Sequence, residues 1–388
     1  MKFAKRIDQI KPFRVMEVLA RAAFYERQGL QVIHFEVGEP DFPTSEIIVA
    51  AGREALAQGK TKYTPATGIP ELREAISHYY GALGVNVHAD QVIVTGGASG
   101  GLVLLAGLLL NAGDQLLITD PGYPCNGVFA RLTSGESIAV PVTAAGKFQP
   151  TVEDIKRVWT PRSRGLLLAS PSNPTGTMLP AKDLTEIAEE VSRRDGFFIL
   201  DEIYQGLTAG ADYPTGLAVC EDLYVLNSFS KFFGMTGWRL GWLVVPEAAV
   251  DPVTRLAQNL FISPSTPAQY AAVAGFSDEA MRTHRQRAQI FADRAELLRR
   301  GLLQLGFSVP VSPQGGFYLY VDVSHTGLAG GEFCRRLLDE FQVAVTPGDD
   351  FGDLEKERFV RFAFTTDEAA IEIGLARISQ ALRAWGNL

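Results

Sequence analysis

The chain has 388 residues, 46% of them apolar and 21% charged, with a net charge of −8. That is the composition of an ordinary globular protein of about two to three domains with a large buried core. The acidic balance excludes the global basic footprint of a nucleic-acid binder, and no basic run is longer than the pairs Arg299-Arg300 and Arg335-Arg336, which read as solvated helix faces.

Met1 to Lys11 is charged with no apolar run behind it, so it does not read as a secretory signal. A helical segment is predicted over 15–28, then an extended one ending in Gly38-Glu39-Pro40-Asp41. These first 47 residues cannot form a core alone and are expected to pack on the C-terminal unit or a partner subunit. Short apolar runs then recur at 91–95, 115–119, 137–142, 165–170, 197–202, 222–227 and 240–245. Continuous apolar runs of this length suit strands buried on both faces. Helix-like segments lie between several of them. In 181–194, Leu184, Ile187, Ala188 and Val191 share one face. The alternation predicts an α/β fold with a mainly parallel sheet covered on both sides.

The run 102–110 is too short to span a bilayer, which needs roughly 20 residues, and reads as a buried helix. The last third changes character. A long helix is predicted over 277–305, followed by strands at 317–323 and 359–364 and helices at 331–341 and 367–385, a smaller α+β unit. Cys125, Cys220 and Cys334 are scattered without metal-ligand spacing, which fits a reduced cytoplasmic protein with no metal. Cys125, with no histidine near it in sequence, reads as a packing residue and not a nucleophile.

The strongest chemical signal is Ser228-Phe-Ser-Lys231-Phe-Phe-Gly-Met-Thr-Gly-Trp-Arg239, directly after an apolar run. A buried unpaired ammonium is costly as mere structure. Lysine also forms Schiff bases with carbonyl compounds, and Ser228, Ser230 and Arg239 could ligate a phosphate. A surface loop with an ordinary lysine is the alternative. Upstream, Thr95-Gly-Gly-Ala-Ser-Gly-Gly101 lies between a strand and a helix, where backbone N–H groups can bind phosphate. It does not meet the dinucleotide fingerprint. Asp201 ends an apolar run, which suits either a fixed functional carboxylate or a cap.

Together these motifs resemble, in family order and over nearly the whole chain, the class I/II aminotransferases. These are the fold-type-I enzymes of pyridoxal 5′-phosphate (PLP). The resemblance implies a large domain at 48–276 with a seven-stranded, mainly parallel sheet, and a small domain from 1–47 and 277–388. It implies that Lys231 carries the cofactor as an internal aldimine in a ping-pong transamination between an L-amino acid and a 2-oxo acid. In Ser170-Pro-Ser-Asn-Pro-Thr-Gly176, Asn173 would donate to the phenolic oxygen of the cofactor. In Asp201-Glu-Ile-Tyr204, Asp201 would pair with the pyridine nitrogen and Tyr204 with the phenolic oxygen. An electron sink needs that nitrogen protonated, and a fixed carboxylate favours the charge.

Gly97, Ala98 and Ser99 would hold the phosphate with Ser228, Ser230 and Arg239. Tyr123, in Asp120-Pro-Gly-Tyr123-Pro, would stack on the ring. Tyr63, in Lys62-Tyr63-Thr64-Pro-Ala-Thr-Gly68, would reach the phosphate of a partner subunit, which implies a homodimer with shared sites. Gly38 would lie near the substrate carboxylate, and Arg361 would bind it with a bidentate fork. Arg358, outside the apolar run, reads as solvated.

Aspartate-specific relatives tend to have Lys where this chain has Ser99 and Thr where it has Val15. The resemblance therefore implies a neutral amino donor, unless Arg14 compensates. Two rivals remain: another PLP reaction such as carbon–sulfur β-elimination, and a non-enzymatic regulator. The latter is disfavoured because the fold is expected to begin within about 15 residues of Met1.

Overall fold

The computed structural model describes residues 1–208 and 215–386. Helix α1 (Arg14–Arg27) leads to strand β1 (Ile33–His34), then α2 (Glu46–Ala57) and α3 (Pro70–Ala82). The central run begins β2 (Val92–Thr95), α4 (Gly97–Leu109), β3 (Gln115–Asp120), α5 (Asn126–Leu132) and β4 (Glu136–Pro141). It continues α6 (Val152–Val158), β5 (Ser163–Ala169), α7 (Ala181–Arg193), β6 (Phe197–Asp201), β7 (Tyr224–Ser228) and β8 (Gly241–Val244). Next come α8 (Glu247–Leu260), α9 (Thr266–Ala274), the long α10 (Asp278–Gln304), β9 (Tyr318–Asp322) and α11 (Gly330–Phe341). The described chain closes with β10 (Val343–Ala344), β11 (Thr346–Pro347), β12 (Phe359–Ala363) and α12 (Glu368–Ala384).

All seven apolar runs became strands of one sheet, in the order β2-β8-β7-β6-β5-β3-β4. β8 alone runs antiparallel to its neighbours; the other pairs are parallel. The strands are apolar on both faces because each face feeds its own core. Leu166 and Leu168 of β5 join one cluster, whereas Leu167 between them joins the other, with α4. β4 departs from the expectation: as the sheet edge it is not buried on both faces, and only the face carrying Ile138 and Val140 packs on a core, with Val140 fully covered.

The remaining strands form two small sheets, an antiparallel β11-β12-β9 and a two-residue parallel pair of β1 with β10. Through β1 and α1 the N-terminal segment packs on elements of the last third. No helix among the described residues is long and apolar enough to cross a membrane.

One consequence of the topology positions the chemistry. β2, β3, β5, β6 and β7 are parallel, so their C-terminal ends share one edge of the sheet. Onto that edge they deliver Gly97, Tyr123, Asn173, Asp201 and Lys231, within four residues of the strand ends. The antiparallel β8 starts there and brings Arg239. Open α/β sheets bind ligands at this edge.

Candidate active site

The Lys231 Nζ donates to the Gly38 carbonyl at 2.5 Å and lies 5.9 Å from the Tyr204 ring centre and 5.8 Å from that of Phe317. Burial holds its pKa below the usual lysine range, with Tyr318 and Glu39 opposing. The amine is therefore easier to deprotonate than a surface lysine. Gly38 has to be glycine, because a Cβ there would run into the Tyr318 hydroxyl.

Asp201 is 5% exposed, and its Oδ1 accepts from the Ile203 N–H at 3.0 Å. It caps the turn after β6, and among the described residues no hydrogen bond to its other oxygen is formed. Burial raises its pKa to about 7, against the lowering effects of that N–H and of Lys231. The Tyr204 and Tyr318 hydroxyls are 2.9 Å apart, and burial pushes the Tyr204 phenol well up.

A second group gathers at the start of α4. Gly97 has φ 74°, and a Cβ there would lie 2.7 Å from an Arg239 guanidinium nitrogen. The guanidinium thus covers the first turn of the helix, where the N–H groups of Gly97, Ala98 and Ser99 have no partner within the helix. The buried Ser228 Oγ accepts from the Ser230 N–H at 3.1 Å, and Ser230 itself is buried.

On the other side stands Arg361, 3% exposed in the middle of β12. It donates to Asn173 Oδ1 at 2.9 Å, to the Glu36 carbonyl at 2.6 Å and to Thr346 Oγ1 at 3.3 Å. Its planar group lies 4.3 Å from the Tyr318 ring centre and 4.8 Å from that of Phe351. Its Nε is buried with no hydrogen-bond partner among the described residues. The Asn173 oxygen is occupied by Arg361, which leaves the amide N–H groups as the donors.

Tyr123 meets Phe13 edge to face with ring centres 6.2 Å apart, and burial raises its phenol far above the usual range. Cys125 beside it is partly buried, and burial raises its thiol pKa, as suits packing. Tyr63 is 82% exposed, so its ring faces solvent in the single chain. Arg358 lies outside the group, paired with Asp322 at 2.7 Å and Glu355 at 2.6 Å. Arg14 bonds Glu17 at 2.8 Å and approaches Asp349 at 3.7 Å.

Sequence reasoning missed Tyr318, Phe351, Thr346 and the Glu36 carbonyl. Tyr318 stood inside a predicted strand, but its place under Arg361 depends on the pairing of β9 with β12. A single sequence carries no signal for that pairing.

The model of the family "Aminotransferase class I and II" matches residues 31–378. The valine–pyruvate aminotransferase of Mycobacterium tuberculosis is 36% identical over 376 residues, covering 96% of this chain and 97% of that one. The aspartate/prephenate aminotransferase of Thermus thermophilus is 34% identical, covering 98% of both chains. The crystal structure of an aminotransferase from Mycobacterium tuberculosis superposes with a TM-score of 0.95 at 36% identity, covering 99% of this chain and all of that one. The chain belongs to the class I and II aminotransferases. It is a PLP-dependent enzyme of transamination on the type I fold, and the alternative of β-elimination is not favoured.

The residues present fit that cofactor. A partly buried lysine with a lowered pKa, a buried carboxylate forming no ion pair among the described residues and an arginine over a glycine-started helix are three separate features. They match an aldehyde, a protonated ring nitrogen and a phosphate respectively.

Proposed function

We propose that this enzyme takes its amino group from a neutral L-amino acid and that the cluster at the sheet edge is its active site. The observation that carries the reading is the convergence of Lys231, Asp201 and Arg361 from distant parts of the chain. Lys231 is the covalent attachment point and, once displaced, the base that moves the Cα proton. Asp201 holds the proton on the ring nitrogen. Tyr204 and Asn173 hydrogen-bond the phenolic oxygen, and Tyr123 stacks on the ring. Gly97, Ala98, Ser99, Ser228, Ser230 and Arg239 hold the phosphate. When bound, PLP supplies a carbonyl for the amino group and an electron sink for the Cα carbanion. Arg361, pre-oriented by Asn173 and Glu36, binds the α-carboxylate beside Gly38.

The same reading divides the chain into a large unit at 48–276 and a small one from 1–47 and 277–388. It makes the active unit a homodimer in which Tyr63 serves the partner's phosphate. Tyr63, Leu260, Phe261 and Ile262 support this, as exposed large side chains. They flank a contact in which Thr266 bonds the Lys62 carbonyl at 2.6 Å. Three scattered thiols favour a reducing, cytoplasmic setting.

For the donor, one relative is named for valine and pyruvate and another for aspartate and prephenate. Ser99 and Val15 offer no charge to a second carboxylate, and the Arg14 guanidinium is engaged with acids. An unmatched buried charge is rejected strongly. Absorbance-monitored half-reactions with alanine, leucine, phenylalanine, aspartate and glutamate test this. The expected outcome is a higher kcat/KM for a neutral donor than for aspartate. Aspartate as the best donor by tenfold, about 1.4 kcal/mol of transition-state preference, overturns it and points to Arg14. Glutamate or 2-oxoglutarate can still serve as the second partner.

A further inference from the structure

Beside Arg361 lies a junction that the roles above leave unused. The dipeptide Asp350-Phe351 touches three site elements at once. Asp350 Oδ1 accepts from the Arg14 N–H at 2.8 Å, and the neighbouring Val15 N–H also favours the charged carboxylate. The Phe351 ring lies 4.8 Å from the Arg361 guanidinium. The Phe351 carbonyl accepts from the Gly122 N–H at 2.8 Å, one residue before Tyr123. Just beyond, the Asp353 and Leu354 N–H groups donate to the Asp120 carboxylate at 3.0 and 3.2 Å. The segment 350–354 thereby grips the Tyr123 turn, the carboxylate-binding arginine and the start of α1.

The grip on α1 is unusual in its source. The residue preceding the helix is Phe13, whose side chain makes no cap hydrogen bond. The N–H of Arg14, first residue of the helix, is instead satisfied by an acid 336 residues away. Phe13 in turn meets the ring of Tyr123, and Val15 is buried. Asp350 holds this position although its Oδ2 is buried with no hydrogen-bond partner among the described residues. Burial raises its carboxyl to about 6, against the lowering effects of the two N–H groups and Arg361.

We infer that Asp350 is a specificity-positioning residue: by capping α1 from across the chain it seats Phe13 and Val15 as the wall that a substrate side chain packs against. The inference rests on the reading of Arg361 as the α-carboxylate binder. Without the cap the first turn frays, and the wall loosens while the carboxylate and cofactor contacts stay. A long apolar side chain loses contact; a methyl-sized one does not.

The test uses the holoenzyme and two carboxylates without an amino group, propionate and 3-phenylpropionate. Dissociation constants by calorimetry are combined with amide hydrogen exchange over residues 13–20. In wild type, 3-phenylpropionate binds more tightly. In Asp350→Ala, its advantage falls by about tenfold or more and exchange at Arg14 and Val15 accelerates, while propionate is held within about threefold. Asp350→Asn, whose amide oxygen still accepts from the Arg14 N–H, keeps both properties near wild type. Phe13→Ala loses the advantage with the cap intact, and keeps the idea testable if Asp350→Ala does not fold.

Equal weakening of both ligands in Asp350→Ala overturns the inference, as does faster exchange with unchanged selectivity. So does an Asp350→Asn variant that behaves like the alanine one, or a wild type with no preference for the longer ligand. The Arg361 reading fails separately, if Arg361→Lys binds propionate as tightly as wild type. In that case the exchange result for Asp350 still stands by itself.

Discussion

Asp201 illustrates how a single residue can oppose stability and serve function. Its carboxyl ionises at about 7 where an unperturbed one does so at 3.8, because burial disfavours the charged form. Glu202, next to it and also buried, is raised to about 7 despite bonds from Thr215 and Gly216. A folded-state pKa above the unfolded one means that the neutral form stabilises the fold. The contribution of Asp201 is full below pH 4 and is lost as pH rises through 7. In cofactor-free protein at pH 8, Asp201→Asn is therefore expected to be more stable than wild type, by no more than about 4 kcal/mol of unfolding free energy. The gain should vanish toward pH 4 in thermal unfolding. The same variant should slow the Cα-proton step by orders of magnitude in single-turnover kinetics, since an amide cannot hold the ring nitrogen protonated. Wild-type rates would show that another group does so. Lys231→Ala should lose both the visible absorbance of lysine-bound cofactor and turnover; cofactor still fixed to that variant by borohydride would move the attachment elsewhere. Lys231, Asp201 and Asn173 were legible because each stands in a contiguous motif at a strand end. Glu36 and Tyr318 were not, because they reach Arg361 only through strand pairings.

At the scale of elements, legibility followed burial. The strands of the large sheet were readable because both faces are covered, so each run is apolar without interruption. β4 is the exception: at the edge of the sheet it is not buried on both faces, as its apolar run had suggested. β1, β10 and β11 have two residues each and leave no periodic trace. α4 begins at Gly97, earlier than the apolar run alone suggested, because glycines form its first turn. β1 has an electrostatic tie to α1. His34 Nδ1 lies 2.8 Å from the fully buried Glu36, and Nε2 lies 3.1 Å from Glu26 of α1. The Glu36 bond, foremost, raises the imidazole pKa to about 9. A raised histidine pKa stabilises fully below 6.5, and that stabilisation is lost as pH rises through 9. The melting-temperature difference between wild type and His34→Gln should therefore be largest near pH 6 and shrink toward pH 10. A difference independent of pH would assign His34 to packing alone.

For the whole molecule, the arrangement of Tyr63 decides what the active unit is. Its ring is exposed in the single chain, yet it belongs to a motif whose resemblance places it on a partner's phosphate. A cyclic dimer with two-fold symmetry makes each such debt mutual: each subunit supplies Tyr63 to the other and keeps its own Lys231. Two inactive variants then become informative when mixed. In a hybrid of Lys231→Ala with Tyr63→Ala, one site combines both lesions, and the other combines the intact Lys231 with the intact Tyr63. Random reassociation of equal amounts makes about half the dimers hybrid, each with one good site of two, so about a quarter of wild-type activity should return. If each subunit used its own Tyr63, every site in the mixture would carry one lesion and nothing would return. Unfolding and refolding the two variants together, beside each alone, separates these outcomes. Full activity in a verified monomer would refute the shared site, and would leave Leu260, Phe261 and Ile262 as an exposed apolar strip to be explained in some other way.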